Sequence, residues 1–138
     1  DALSRTYHYH IIQQKSSFSE NAYLLHKNLD VDAMNLACKH LLGKQDFTSF
    51  SKVNTQTFTN NCNVMLANWK QTEGELIFTI KADRFLRNMV RAIVGTLLAV
   101  GEGKIKPEKV KEIIAKKNRS KAGTSVPSHA LFLSNIEY

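Results

Sequence analysis

Three arginines in the second half of the chain have a spacing that could bind an anion. Arg84, Arg87 and Arg91 stand at i, i+3 and i+7, which predicts that they share one side of a helix. A guanidinium pairs with a phosphate or carboxylate through two parallel hydrogen bonds, which lysine cannot do. Ala92 and Gly95 beside them leave room for a bulky partner, and the helix cost of about 1 kcal/mol that glycine carries predicts close packing there. The simpler interpretation of the stripe is a solvated helix face opposite a core face.

The elements that would position these arginines predict an α+β fold. Apolar spacing predicts helices over residues 30–42, 84–100 and 107–117, and aromatic or β-branched runs predict strands over 6–12, 63–70, 75–81 and 131–138. Residues 13–29 and 51–61 show no period and are predicted to be irregular. A short connection with Gly74 joins the second and third strands, which predicts a β-hairpin. We therefore expect one domain, residues 1–138, with a largely antiparallel mixed sheet and helices packed on one face.

Charge is distributed unevenly along the 138 residues, which carry a net charge of +7. Residues 1–80 hold seven basic and seven acidic side chains, whereas residues 81–138 hold twelve basic and five acidic ones. A basic half predicts a polyanionic partner, although a lysine-rich solubilising surface would look the same. No apolar run is long enough to span a bilayer and no signal peptide is visible, so we expect a cytoplasmic protein. The chain opens with Asp1 and lacks an initiator methionine, which predicts a fragment.

Cysteines and histidines give little support for a metal site. Cys38 and Cys62 are far apart and in no CxxC pattern, and a buried free thiol is the favoured interpretation of Cys38. His8 and His10 alternate along a predicted strand, so both lie on one face. Two histidines there could bind a metal with a third ligand, but a solvated strand face is the more common arrangement. We expect no metal.

Four segments of the chain, in order, resemble the tRNA pseudouridine synthase A family. The longest is the arginine-bearing segment, and the others lie in the first strand, the loop after the first helix, and the last loop and strand. They are SRTYHY at 4–9, DFTSF at 46–50, FLRNMVRAIVGTL at 85–97, and AGT at 122–124 with Pro127 and ALFL at 130–133. Each segment alone is weak, but four in order cover nearly the whole chain.

The resemblance implies an activity and its limits. The family isomerises uridine to pseudouridine at positions 38–40 in the anticodon arm of tRNA, without a metal or organic cofactor, and its members form homodimers. The base leaves its N-glycosidic bond, turns, and is rejoined through carbon. The essential aspartate of the family lies in an arginine–threonine–aspartate motif further upstream, whereas the only Arg-Thr pair here, Arg5-Thr6, is followed by Tyr7. The resemblance therefore implies the C-terminal domain of such an enzyme, and we expect this chain alone to be inactive.

Site residues carry over from the matched motifs one by one. Tyr7 matches the active-site tyrosine of the family, although a strand tyrosine could simply pack in the sheet. Arg91 matches the arginine that pairs with the catalytic aspartate. Leu131 matches an apolar residue that lines the base pocket of the family. Packing in the core would explain an apolar residue at this position equally well. The expected phosphate contacts are Arg84, Arg87, Lys104 and Lys106.

Departures from the family pattern leave two other interpretations open. Residues 61–63 read NCN where many members carry a basic residue, Ala130 replaces a common glycine, and the role of His129 is not evident. The chain could be a non-catalytic RNA-binding module of the same ancestry. It could also be a structural protein whose basic half contacts other macromolecules.

Overall fold

Six strands and three helices make up the described part of the chain, which in this computed structural model covers residues 2–14, 21–52 and 59–138. In chain order they are β1 (Ser4–Ile12), β2 (Tyr23–Leu24), α1 (Val31–Cys38), β3 (Gly43–Asp46), β4 (Asn61–Thr72), β5 (Glu75–Ala82), α2 (Met89–Gly101), α3 (Lys109–Lys116) and β6 (Leu131–Glu137). Short 3₁₀ turns follow α1, β3 and α3 and precede β6.

The six strands form one mixed sheet with β1 near its centre. On one side β1 pairs antiparallel with β5, which continues through the predicted hairpin to β4 and then to β3. On its other side, the first part of β1 pairs antiparallel with β6, and its last two residues pair parallel with β2. The predicted α+β class and the largely antiparallel mixed sheet are therefore confirmed.

The core lies between one face of the sheet and the helices. Alternate residues of β1 and β5, such as Tyr9 and Phe78, are fully buried on that face. Asp30 caps α1 by accepting a hydrogen bond from the backbone N–H of Ala33 at 3.0 Å, as its type predicts. The helix α2 is buried on almost every side, because α1 packs along it. No helix within the described ranges is long and apolar enough to cross a membrane.

The helix predicted over 84–100 is wrong at its start, because α2 begins only at Met89. Asn88, which precedes it, has φ 69°, a left-handed conformation through which a right-handed helix cannot continue. The stretch before it is held by tertiary hydrogen bonds, including one from the N–H of Lys52 to the carbonyl of Arg87 at 3.0 Å. Only Arg91 of the three arginines lies on the helix, so the predicted arginine stripe does not exist.

Two strands were not predicted from the sequence. β2 falls in the stretch predicted to be irregular over 13–29, and β3 follows the 3₁₀ turn after α1. The remaining predicted irregular positions at 15–20 and 53–58 lie outside the described residues. The first helix and the four predicted strands are confirmed, with ends that differ by a few residues.

Candidate active site

Four of the predicted site residues line a single cavity of about 380 Å³. Tyr7 reaches it from β1, Arg87 from the loop before α2, Arg91 from the first turn of α2, and Leu131 from the start of β6. They meet because β6 pairs beside β1, which brings Leu131 opposite Tyr9 and next to the position of Tyr7. Residues far apart in the sequence, on β1 and β6, therefore lie side by side in one site.

Tyr7 is half-buried and held by its neighbour Phe85. The two rings meet edge to face, with centroids 5.0 Å apart and an interplanar angle of 89°. Within the described part of the chain its hydroxyl has no hydrogen-bond partner. A planar base entering the cavity could therefore meet a fixed phenol ring and an available hydroxyl group.

Arg91 is oriented by the backbone that follows α3. Its Nε donates to the carbonyl of Val126 at 2.8 Å, and the N–H of Val126 donates back to the carbonyl of Arg91 at 3.2 Å. Among the residues the structure describes, nothing accepts a hydrogen bond from its two terminal nitrogens. Those two nitrogens can receive a carboxylate or a phosphate through paired hydrogen bonds.

The cavity has a strongly positive lining. Lys52, Arg87 and Arg91 line it, and no acidic residue is among the described lining residues. An anionic group would be favoured there, and the pKa of a carboxyl group bound beside Arg91 would be lowered by the nearby positive charge. Sequence reasoning missed Lys52, since no motif marks it and its place depends on its backbone contact with Arg87.

The other three predicted contacts lie away from this cavity. Arg84 donates from one terminal nitrogen to the carbonyls of Thr59 at 2.8 Å and Asn61 at 2.9 Å, so this guanidinium stabilises a loop. Lys104 and Lys106 are exposed beyond the far end of α2, a helix of 13 residues and hence about 20 Å long. The structure therefore does not bring them to the same place as Arg87.

Both cysteines are free and buried, and Cys62 also contacts the sulfur of Met89 at 3.8 Å. Burial raises the pKa of the Cys38 thiol to about 12 and that of Cys62 to about 11. The described residues contain no cluster of three or more side chains suited to a metal ion.

Two of the histidines occupy structural positions. On the sheet face away from the core, His10 contacts Glu75, with Nδ1 3.1 Å from the carboxylate oxygen. His129, whose role the sequence left open, donates from Nε2 to the carbonyl of Ala22 at 3.0 Å. Ala130 is fully buried, so its methyl group packs in the core.

Comparison with known proteins gives consistent matches over the whole chain. A family model described as tRNA pseudouridine synthase matches residues 37–138. The tRNA pseudouridine synthase A of Parabacteroides distasonis is 55% identical over 100% of this chain and 55% of its own length. The proteins of the same name from Bacteroides fragilis and Francisella tularensis subsp. novicida are 53% and 36% identical, over 56% and 54% of their lengths. The chain thus spans about half the length of the curated relatives it matches.

Proposed function

The chain belongs to the tRNA pseudouridine synthase family, and on this basis we propose that it forms the part of such an enzyme that receives the target uridine. The observation that carries the proposal is the meeting of Tyr7, Arg91 and Leu131 in one cavity. These three residues come from separate motifs, far apart in the sequence. If these residues served only to pack the core, they would have no reason to line the same cavity.

The reaction is an isomerisation, so it requires the uridine and the catalytic groups to be positioned but needs no second substrate. Pseudouridine has the same atoms as uridine: the bond from the sugar to the base nitrogen breaks, a bond from the sugar to a base carbon forms, and a proton moves from that carbon to the nitrogen. Tyr7 offers a ring for stacking on the base and a hydroxyl for the proton transfer. Leu131 supplies an apolar wall that limits water beside the reacting bond.

In this proposal Arg91 binds the carboxylate of the catalytic aspartate, which another part of the enzyme supplies. Its terminal nitrogens would hold that aspartate ionised and oriented through paired hydrogen bonds. The positive lining from Lys52 and Arg87 favours the same charged form.

Contacts with tRNA extend beyond the cavity in this proposal. Arg87 is exposed at the cavity and is suited to a phosphate beside the target nucleotide. Lys104 and Lys106, at the far end of α2, would meet phosphates about 20 Å away, and Arg84 would act from its loop. Extraction of a uridine at positions 38–40 costs a few kcal/mol, which such backbone contacts offset. The enzyme would work in the cytoplasm as a homodimer, without a cofactor.

A pseudouridine assay on unmodified tRNA tests the proposal, run with this chain and with the full natural product of its gene. We expect the full product to be active and the 138-residue chain to be silent, because the chain lacks the family's aspartate motif. Pseudouridine formed by the purified chain alone would contradict the assignment of the nucleophile. If the full product binds tRNA but makes no pseudouridine, the protein is a non-catalytic RNA-binding module.

A further inference from the structure

The backbone of one loop lies directly on the middle of α2. This segment, residues 122–127, is here called the Gly123 loop. A Cβ atom on Gly95 would lie 1.8 Å from the carbonyl oxygen of Thr124, and one on Gly123 would lie 2.9 Å from the backbone of Gly95. The N–H of Gly123 also donates to the hydroxyl of Thr96 at 2.7 Å. Helix and loop are thus in direct backbone contact, and the loop cannot move without breaking these contacts.

The far end of the same loop sets the orientation of Arg91. Val126 and Arg91 exchange two hydrogen bonds, one of them from the Arg91 Nε. The next residue, Pro127, accepts a hydrogen bond from the hydroxyl of the buried Tyr9 at 2.7 Å. The direction in which the Arg91 guanidinium faces the cavity therefore depends on where the Gly123 loop lies.

One arginine connects the separate parts of this loop. Arg119 donates from one terminal nitrogen to the carbonyl of Gly123 and from the other to the hydroxyl of Ser125, both at 2.9 Å. The side-chain amide of Asn88 donates to the same Ser125 oxygen at 2.6 Å. Ser125 therefore links Arg119 to the residue whose left-handed conformation precedes α2.

We propose that Arg119 is a positioning residue that holds the Gly123 loop so that the Arg91 guanidinium faces the catalytic carboxylate. This inference rests on the proposed function for its consequence, and on the hydrogen bonds above for its geometry. The Arg119 side chain is half-buried, and both of its terminal nitrogens donate hydrogen bonds to the loop. An arginine that binds a phosphate would instead direct these nitrogens toward solvent. A lysine in its place would keep the charge but could not bridge two acceptors in this fixed geometry.

The test compares Arg119→Lys and Ser125→Ala with the parent in the full natural product, with Lys70→Ala as a control. Lys70 is exposed on β4, remote from the loop. We expect Arg119→Lys to slow the single-turnover isomerisation of tRNA by roughly tenfold to a hundredfold, as small misplacements of catalytic groups do. The dissociation constant for tRNA should stay at the parental value. The acid limb of the pH–rate profile should move to higher pH, because a less well-held Arg91 lowers the pKa of the carboxyl group less.

Each outcome separates positioning from other roles. Ser125→Ala leaves the charge unchanged and should slow the same step less than Arg119→Lys does. An Arg119→Lys variant with the parental rate would overturn the proposal, and so would a loss confined to tRNA affinity, which would indicate a phosphate contact. A loss matched by a fall in melting temperature, with an unmoved pH profile, would indicate a structural role only.

A spectroscopic readout keeps this inference distinct from the proposed function. The Nε–H resonance of Arg91 reports on its hydrogen bond to Val126 whether or not the protein isomerises uridine. In Arg119→Lys we expect that proton to exchange faster with water than in the parent or in Lys70→Ala. A silent parent enzyme would overturn the proposed function, whereas an unchanged Arg91 resonance would overturn the role of Arg119.

Discussion

Burial, more than any neighbouring charge, governs the chemistry of the two cysteines. Cys38 and Cys62 are each 1% exposed, and the loss of hydration raises the pKa of both thiols. Arg84 opposes this shift at Cys62 but does not overcome it. Both side chains therefore behave as small apolar core residues at neutral pH, as the sequence context of Cys38 predicted.

These pKa values predict how stability depends on alkaline pH. Thiols of the unfolded chain ionise near pH 9, whereas those of the folded chain hold their protons to about pH 11 or 12. Below pH 9 both thiols are protonated in the folded and in the unfolded chain, so their ionisation does not lower the free energy of unfolding. As the pH rises from there, the unfolded state loses protons first, and the free energy of unfolding falls by up to about 1.4 kcal/mol per pH unit for each thiol.

Urea unfolding of the chain and of Cys38→Ala, at about pH 8 and about pH 10.5, measures this effect. The variant is less stable at both pH values because it leaves a small cavity, but its stability should fall less steeply with pH. All other ionisable groups are common to both proteins, so their contributions cancel in the comparison. Parallel declines would show that Cys38 is not protected from ionisation.

Individual site residues could be predicted from the sequence only where a motif marked them. Tyr7, Arg91 and Leu131 each sit in a matched segment, and all three line the cavity. Lys52 has no such mark, because its place depends on a backbone hydrogen bond to the Arg87 loop. The hydrogen bonds of Arg119 also could not be predicted from the sequence, because they depend on the backbone path of the loop after α3.

Among the elements, α2 shows how apolar spacing can extend a predicted helix too far. Leu86 is buried and Phe85 packs against the core, so both fit the helical period, yet neither is helical. Apolar periodicity indicates which residues are buried, but it does not show whether the backbone between them is helical. The left-handed Asn88 sets the true start, and its conformation depends on a tertiary hydrogen bond to Ser125.

The contact between α2 and the Gly123 loop predicts a large effect of one methyl group. Alanine would raise the helix propensity at Gly95 by about 1 kcal/mol, but its Cβ would overlap the carbonyl oxygen of Thr124. Overpacking against rigid backbone costs about 1–3 kcal/mol or more, so steric repulsion outweighs propensity. We expect Gly95→Ala to lower the free energy of unfolding measured in urea.

Gly101→Ala, at the end of the same helix, is the matched control for Gly95→Ala. Its nearest neighbour is the flexible side chain of Met34 and not backbone, so the loss should be smaller. Equal losses in the two variants would contradict the view that the Gly123 loop is fixed against α2.

Across the entire chain, the uneven charge predicts how the proposed binding of tRNA responds to salt. Arg87→Ala in the full natural product should weaken tRNA binding and lower the slope of log affinity against log salt by roughly 0.7–0.9, as the loss of one phosphate contact does. Lys70→Ala, the same change in charge on the exposed sheet face, should leave that slope unchanged. An unchanged slope in Arg87→Ala would remove this residue from the phosphate contacts.

The architecture was more predictable than the edges of the sheet. The hairpin from β4 to β5 carries its own turn and alternation, so local sequence predicts it and with it the antiparallel class. β3 is short and polar, and β2 has two residues, so neither carries a pattern of its own. Both exist because a neighbouring strand offers a hydrogen-bonding edge, which is a property of the folded sheet.

The position of β1 between β5 and β6 has a consequence for the order of synthesis. Tyr7 leaves the ribosome well before Leu131 and the rest of β6, which follow it in the sequence. During translation β1 can pair with β5 well before β6 has emerged. The cavity that Tyr7 and Leu131 line is therefore completed only after residue 131 has emerged, and any product cut short before Leu131 would lack that part of its lining.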